Sequence, residues 1–422
     1  MKLKRTLGLA DLIFFGIGAV IGTGVFVMPA IAAGIADVGS FWVWLEVGIL
    51  TIFMALCLAE LSSIYPHAGG PYQFVKEAFG KRVGFLSGWL AWLISWVTIA
   101  SLAVAVSYYL QYFVHLSHMQ SIAIAIGVLA LITAFNYNGL HWGMKAQYLL
   151  TSISILVFWF FITWGMHFID LSNFTPNVNI TISSLALASV LIIEPFIGWE
   201  AITYFAEEAK FPRRDIPRAI VYSSIFVTIL YCAVIFVTLG IIQTMHLKTS
   251  LYPIALAAEA FLGAPGGIII AVGAIIVLLG CLNSWVVATA RLPYALARDG
   301  LFPKALMRIH KKNATPHIAL ILQFVFASAA VFLAGFEEII YILVALAMMM
   351  YLMMFMSMPI HRKKGLKISY KLPFGYLVPG IASLLAISML LLVEPIYLLV
   401  AVAMFGSGVI FDYVFQAFGN KA

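Results

Sequence analysis

The chain has 422 residues, of which 64% are hydrophobic and only 10% charged, against roughly 25% charged in a soluble domain. That composition excludes a soluble globular protein and places the chain among polytopic membrane proteins, with the lipid bilayer as its surroundings. The formal net charge of +7 is no nucleic-acid footprint, since the basic residues alternate with apolar runs, and no nucleic-acid partner is expected.

A membrane-spanning helix needs about 20 apolar residues. Twelve segments qualify, at about 11–33, 40–64, 83–114, 121–138, 147–169, 184–207, 218–242, 266–294, 317–335, 338–359, 374–393 and 396–417. The start, "MKLKRTLGLADLIFF", has the basic-then-apolar look of a signal peptide. Cleavage there would remove the segment that follows, and many more apolar segments come after it, so it reads as part of the first span.

The first segment contains "GIGAVIGTG", with Gly16, Gly18, Gly22 and Gly24. Glycine destabilises a helix interior, and Thr23 competes for backbone hydrogen bonds. In lipid each unpaired backbone group costs several kcal/mol, so a break at Gly22–Gly24 is tolerable only against a cavity or a ligand. The N–H groups of a half-helix restarting near Gly24 suit a carboxylate, and free carbonyls on the other side of the break suit an ammonium group. The alternative is a small-residue face for close helix packing.

The stretch "AELSSIYPHAGGPYQFVKEAFG" (59–80) runs from the end of the second span into the loop before the third. Its "KEAFG" (76–80) is echoed by "AEAFLG" (258–263) between the seventh and eighth spans, on the opposite side of the membrane. Gly22 and Gly198 lie at corresponding depths in the first and sixth spans. These echoes suggest two inverted five-helix halves, residues 1–169 and 184–359, followed by two extra helices at 374–417 within one membrane domain.

The sixth segment holds Glu194, Pro195, Gly198 and Glu200 at mid-membrane depth. Pro195 removes a donor, Gly198 permits unwinding, and two carboxylates at that depth demand a polar cavity or protonation. Glu194 could accept a cationic side chain, or it could bond to the broken helix behind Pro195 and never meet substrate. After it, "EEAKFPRRDIPR" reads as a mixed-charge loop in which Glu207 and Arg213 could pair, although a solvated loop accounts for it equally. Cys57, Cys232 and Cys281 lie in apolar segments without metal-ligand spacing and read as small hydrophobes. The histidines, including His67, His141, His310 and His361, show no metal-ligand pairing, so no metal or other cofactor is expected. "NFT" at Asn173 and "NIT" at Asn179 fit glycosylation acceptors on the outer face.

With the N-terminus in the cytoplasm, every Lys and Arg except Lys248 falls on the cytoplasmic side of these twelve spans. The positive-inside rule then puts both termini in the cytoplasm of a plasma (inner) membrane.

"IGTGVF" (21–26), the 59–80 stretch, "FIGWEAITYFAEEAKFPRRDIPRAI" (196–220) and "ARLPYALARDGLFPK" (290–304) resemble the amino acid–polyamine–organocation (APC) transporter superfamily over roughly the first 310 residues. The resemblance implies an all-α LeuT-like five-plus-five inverted repeat with the first and sixth helices unwound around a central amino acid. By it, Gly22, Thr23 and Gly24 would receive the α-carboxylate, and the carbonyls of Val20 and Ile197 the α-amino group. Phe196, Gly198 and Trp199 would line the substrate pocket, Trp285 would cover it, and Glu200 matches an acidic position linked to coupling. At the position of Glu194 relatives often carry an aromatic or small residue. Leu279 and Gly280 stand where sodium-coupled members bring hydroxyl side chains, and Ser154 stands where some proton-coupled members place a lysine. That leaves Glu200, with Glu194, as proton carrier.

The expected function is secondary transport of an amino acid by alternating access with a proton as coupling ion. An amino acid or polyamine exchanger with a cationic substrate is the alternative, and a non-transporting amino acid sensor a third reading. No nucleophile–base pair suggests an enzyme.

Overall fold

The computed structural model describes residues 5–65, 69–138, 144–176, 180–310, 313 and 315–418. His67, His141, Asn179 and the basic residues Lys2, Lys4, Lys311, Lys312 and Lys421 lie outside them, as does the side chain of Lys145. The described residues form helices α1 (Leu9–Val20), α2 (Thr23–Ala36), α3 (Ser40–Ile64), α4 (Pro71–Phe79), α5 (Lys81–Leu110), α6 (His118–Tyr137), α7 (Met144–Gly165), α8 (Ile182–Ile192), α9 (Glu200–Thr203), α10 (Pro212–Ile241), α11 (Thr244–Leu247), α12 (Pro253–Leu262), α13 (Ala264–Thr289), α14 (Arg291–Arg298), α15 (His317–Leu333), α16 (Phe336–Lys363), α17 (Leu377–Leu392) and α18 (Pro395–Phe418). Strand-like pairing among them is limited to an isolated bridge between Leu7 and Ala209.

Eight helical stretches among the described residues are long and apolar enough to cross a membrane, or nine if α8 and the turn after it, bent by 43°, count as one. One of the eight, Leu9–Ile64, is 56 residues long. At 1.5 Å per residue it would reach about 84 Å as a straight helix, nearly three times a hydrocarbon core of about 30 Å. It is interrupted at Ile21–Gly22 and again at Asp37–Gly39, so its length suits two passes rather than one. The helices α15 and α17 are apolar but shorter, with 17 and 16 residues. The chain is thus an all-helical, multi-pass membrane protein.

Local chemistry sets many of the boundaries. Ser117 caps α6 through the amide of Gln120, and Thr181 caps α8 through that of Ser184. Prolines open α4, α10 and α12 at positions where a helix needs no donor. The helices α4 and α12 match each other: each starts on proline, ends on a glycine in the left-handed region (Gly80 at φ 91°, Gly263 at φ 69°), and runs directly into a long helix.

The interior is built from α1, α2, α3, α5, α10, α13 and α16, whose Trp44, Tyr109, Tyr231, Phe26 and Phe355 are fully buried. Large apolar side chains of α7, α17 and α18, among them Trp159, Leu384, Leu391 and Tyr413, point outward, as a lipid-facing surface requires. The three cysteines are free, with Cys57 and Cys281 buried.

Candidate substrate site

Two helix breaks meet at the centre of the bundle. The first lies between α1 and α2. Ile21 is extended (φ −70°, ψ 95°) and Gly22 departs from helical geometry (φ −143°, ψ −138°) before α2 restarts at Thr23. The first-turn N–H groups of α2 have no acceptor within the helix, and no side chain caps them. The second break follows α8. A single 3-10 turn, Glu194–Phe196, leads to extended Ile197 (φ −92°, ψ 151°) and to Gly198 at φ 121°, and α9 begins at Glu200. Only glycine adopts the Gly198 conformation readily.

The breaks are locked to each other. A Cβ on Gly24 would lie 2.2 Å from Cγ of Pro195 and 2.6 Å from its Cα, so α2 rests directly on the turn that carries Glu194. Across this contact the Thr23 hydroxyl donates to Oε1 of Glu194 at 2.8 Å. The other oxygen of Glu194, Oε2, is buried with no hydrogen-bond partner.

Side chains from other helices close the ends. The Tyr231 hydroxyl of α10 donates to the carbonyl of Val20 at 3.0 Å. The indole N–H of Trp285 on α13 donates to the carbonyl of Ala19 at 3.0 Å, and Cys281 Sγ lies 3.5 Å from the same oxygen. A Cβ at Gly198 would come within 3.2 Å of the Trp285 ring, which therefore spans from one break to the other. Glu200, fully inside the protein, accepts a hydrogen bond from Tyr351 of α16.

A cavity of about 20 Å³ lies between these parts, lined by Val20, Gly22, Thr23, Gly24, Glu194, Ile197 and Trp285 among others. A second, of about 10 Å³, lies beyond Ile197 against Thr51, Met54, Phe196, Trp199 and Tyr351. The larger holds about one water, so an amino acid enters only when the surrounding helices part.

Of the residues singled out from sequence, Val20, Gly22, Thr23, Gly24, Glu194, Ile197 and Trp285 line the first cavity. Phe196 and Trp199 lie at the second. The ring of Phe196 is drawn into packing against Trp44 and Tyr231, with ring centroids 5.8 and 5.4 Å away. Ile197 lines both cavities, and Gly198 lines neither but lies beside the Trp285 ring. Tyr231, Tyr351 and Cys281 were not anticipated as site residues. A hydroxyl or thiol in an otherwise apolar span was the one available signal.

At one end of the bundle polar pairs tie the elements shut. Arg362 of α16 grips Glu60 of α3 through two contacts, Nε at 2.6 Å and Nη2 at 2.8 Å, and the amide of Leu372 adds a third bond to the same carboxylate at 2.9 Å. Asp299 takes Lys76 and Tyr72 of α4, each at 2.7 Å. Although its burial opposes ionisation, these partners and Arg298 hold the Asp299 carboxyl below the usual carboxylate range. The amides of Thr6 and Leu7 bond to the carbonyl of Glu208, and Arg291 reaches Glu208 at 4.0 Å while lying over the ring of Phe205. At the other end a vestibule of about 450 Å³ opens between Val27, Ile31, Tyr108, Lys248, Glu337, Glu338 and Glu394. Among the described residues no group of three or more His, Cys, Asp or Glu side chains could hold a metal ion.

Comparison with known proteins agrees with this architecture. A family model described as amino acid permease matches residues 7–415. The branched-chain amino acid permease BcaP of Bacillus subtilis is 27% identical over 410 residues, which span 92% of this chain and 88% of the relative. The serine/threonine exchanger SteT of the same organism is 29% identical, over 90% of this chain and 89% of the relative. The Asc-type amino acid transporter 1 of Mus musculus is 30% identical, over 76% of this chain and 63% of the relative.

Proposed function

The chain belongs to the amino acid permease family, and from that premise we propose that it is a secondary active transporter that carries an amino acid across the plasma membrane by alternating access, with a proton as coupling ion. It is a transporter and not an enzyme, as its relatives are. The observation that carries the proposal is the locked pair of helix breaks. Uncapped α2 amides, the Glu194 carboxyl and the backbone of Val20 and Ile197 converge on one enclosed point, which is what a zwitterion requires and what a packing interface has no use for.

In this reading the polypeptide crosses the bilayer twelve times. The helix α1 with α2, and α8 with the turn to α9, each form one broken crossing, and α15 and α17 cross as short helices. The matched pairs α4–α5 and α12–α13 support two inverted halves, 1–169 and 184–359, with α17 and α18 outside the repeat. The α-carboxylate sits against Thr23 and Gly24, and the α-amino group against the carbonyls of Val20 and Ile197. Trp285, Phe196 and Trp199 enclose the side chain. The termini are cytoplasmic, so the Glu60–Arg362 end is the inner gate and the glutamate-lined vestibule the outer entrance. Proton coupling resides in a buried acid of the second break. A neutral amino acid is the favoured substrate, and no further cofactor takes part.

Purified protein in liposomes tests this. Labelled neutral amino acids should enter faster with an inward proton gradient and without any internal substrate. Entry that requires an internal amino acid and ignores the gradient would replace symport by exchange. Absence of entry for every amino acid would overturn the transport reading.

A further inference from the structure

The two buried acids are held differently. Glu200 does not line the cavity at the α2 terminus and is engaged by Tyr351 of α16. Glu194 lies at that terminus, with one oxygen on Thr23 and the other, Oε2, sealed from solvent and unpartnered. It lines the same cavity as Gly22, Thr23 and Gly24. Tyr231 of α10 and Cys281 of α13 are the titratable side chains that face it. Among the described residues no Lys, Arg or His forms an ion pair with Glu194. The elements α2, α8 and α16 contribute no charged group that acts on it.

This arrangement has a consequence once a zwitterion binds. Its carboxylate is drawn to the α2 amides, within a few ångströms of Glu194. Two carboxylates this close repel strongly in a water-poor interior, and such pairs hold a shared proton instead. Resting on the amino acid transport reading above, we propose that Glu194 is the residue that binds the transported proton, and that its protonated carboxyl donates from Oε2 directly to the substrate carboxylate. The proton comes from the aqueous compartment that delivers the substrate, forms the O–H bond at Oε2 while both are bound, and leaves to the other compartment after the substrate. The unpartnered oxygen acquires a partner only in this loaded state. Glu200 acts through Tyr351 to position the α9 side of the break and does not touch the carboxylate.

The test uses the purified full chain in weakly buffered detergent solution with a pH indicator. L-leucine and L-threonine are the probes, each beside its analogue without the carboxylate, isopentylamine and 1-amino-2-propanol. Each amino acid should take up about one proton on binding, and its affinity should fall about tenfold per pH unit on the alkaline side. The amines should take up none and should bind better as pH rises through the same range. In Glu194→Gln the proton uptake and the pH dependence of amino acid binding should disappear, whatever affinity remains, whereas Glu200→Gln should keep both. Should Glu194→Gln fail to fold, the contrast between amino acids and amines in the unaltered protein decides. Equal proton uptake with and without the carboxylate, or proton uptake unchanged in Glu194→Gln, would overturn the assignment while leaving transport intact. Absence of binding or entry for any amino acid would overturn the transport reading and this inference with it.

Discussion

Gly24→Ala should disable the site without unfolding the protein. The added methyl would fall 2.2 Å from Pro195 Cγ, 2.3 Å from its Cβ and 2.6 Å from its Cα. Ordinary carbon contacts begin near 3.5 Å, so α2 and the Glu194–Phe196 turn must separate by roughly 1.3 Å. A proline ring and a backbone atom cannot swing aside as a flexible side chain would. That separation stretches the 2.8 Å bond from Thr23 to Glu194 beyond hydrogen-bond range. Overpacking of this kind costs about 1–3 kcal/mol, and a hydrogen bond to a charged or potentially charged group contributes about 1.5–3 kcal/mol. A loss of 1.5 kcal/mol at the site alone weakens substrate about tenfold. The assay is binding and liposome uptake of L-leucine and L-threonine by folded, monodisperse Gly24→Ala protein, with Gly127→Ala as a control, because a methyl at Gly127 meets open space. Uptake by Gly24→Ala within twofold of the control would refute the claim that these two breaks form the site.

Three further outcomes follow from the geometry. Glu60→Gln removes the charge from a buried, doubly bonded pair with Arg362, and breaking such a pair costs about 3–5 kcal/mol. The bundle should then open at that end, which a cysteine placed at Ser63 reports as faster labelling by a water-soluble maleimide. Tyr351→Phe removes the donor to Glu200 and should slow transport while leaving its pH profile in place, read from initial uptake rates between pH 5 and 8. For Asp299, the folded pKa is depressed, so its contribution to stability is present above the unfolded value of about 3.9 and is lost as pH falls through the folded value. Asp299→Asn should therefore lower stability at pH 7 by about 1 kcal/mol or less for a partly exposed pair, read as a lower melting temperature, and the gap to the unaltered protein should begin to close as pH falls below about 4.

The breaks were legible because their residues are costly in lipid for a stated reason. Gly-Thr-Gly at Gly22–Gly24, and Pro195 followed by Gly198, weaken a helix where no water compensates, and the chain breaks at both places. Long apolar runs fixed several helix limits closely: the second expected span, 40–64, coincides with α3. The partners of the breaks were not legible. Whether Tyr231, Cys281 or Tyr351 faces the centre depends on how α10, α13 and α16 are rotated, and helices apolar on every side carry no moment that reveals rotation. The direction of Phe196, toward Trp44 rather than the larger cavity, is likewise set by the extended residues around it. The Glu60–Arg362 pair joins residues 302 positions apart, beyond any local pattern.

Transport by this protein depends on substrate binding between the two broken helices. An experimental structure of the protein, saturated with the amino acid that enters liposomes fastest, tests it most directly. The substrate carboxylate should lie against the amides of Thr23 and Gly24 and within hydrogen-bond distance of Glu194, with Trp285 covering it and the cavity of about 20 Å³ widened to fit. Substrate lodged instead in the vestibule beside Lys248 and Glu394, with the Thr23–Glu194 contact undisturbed, would contradict it.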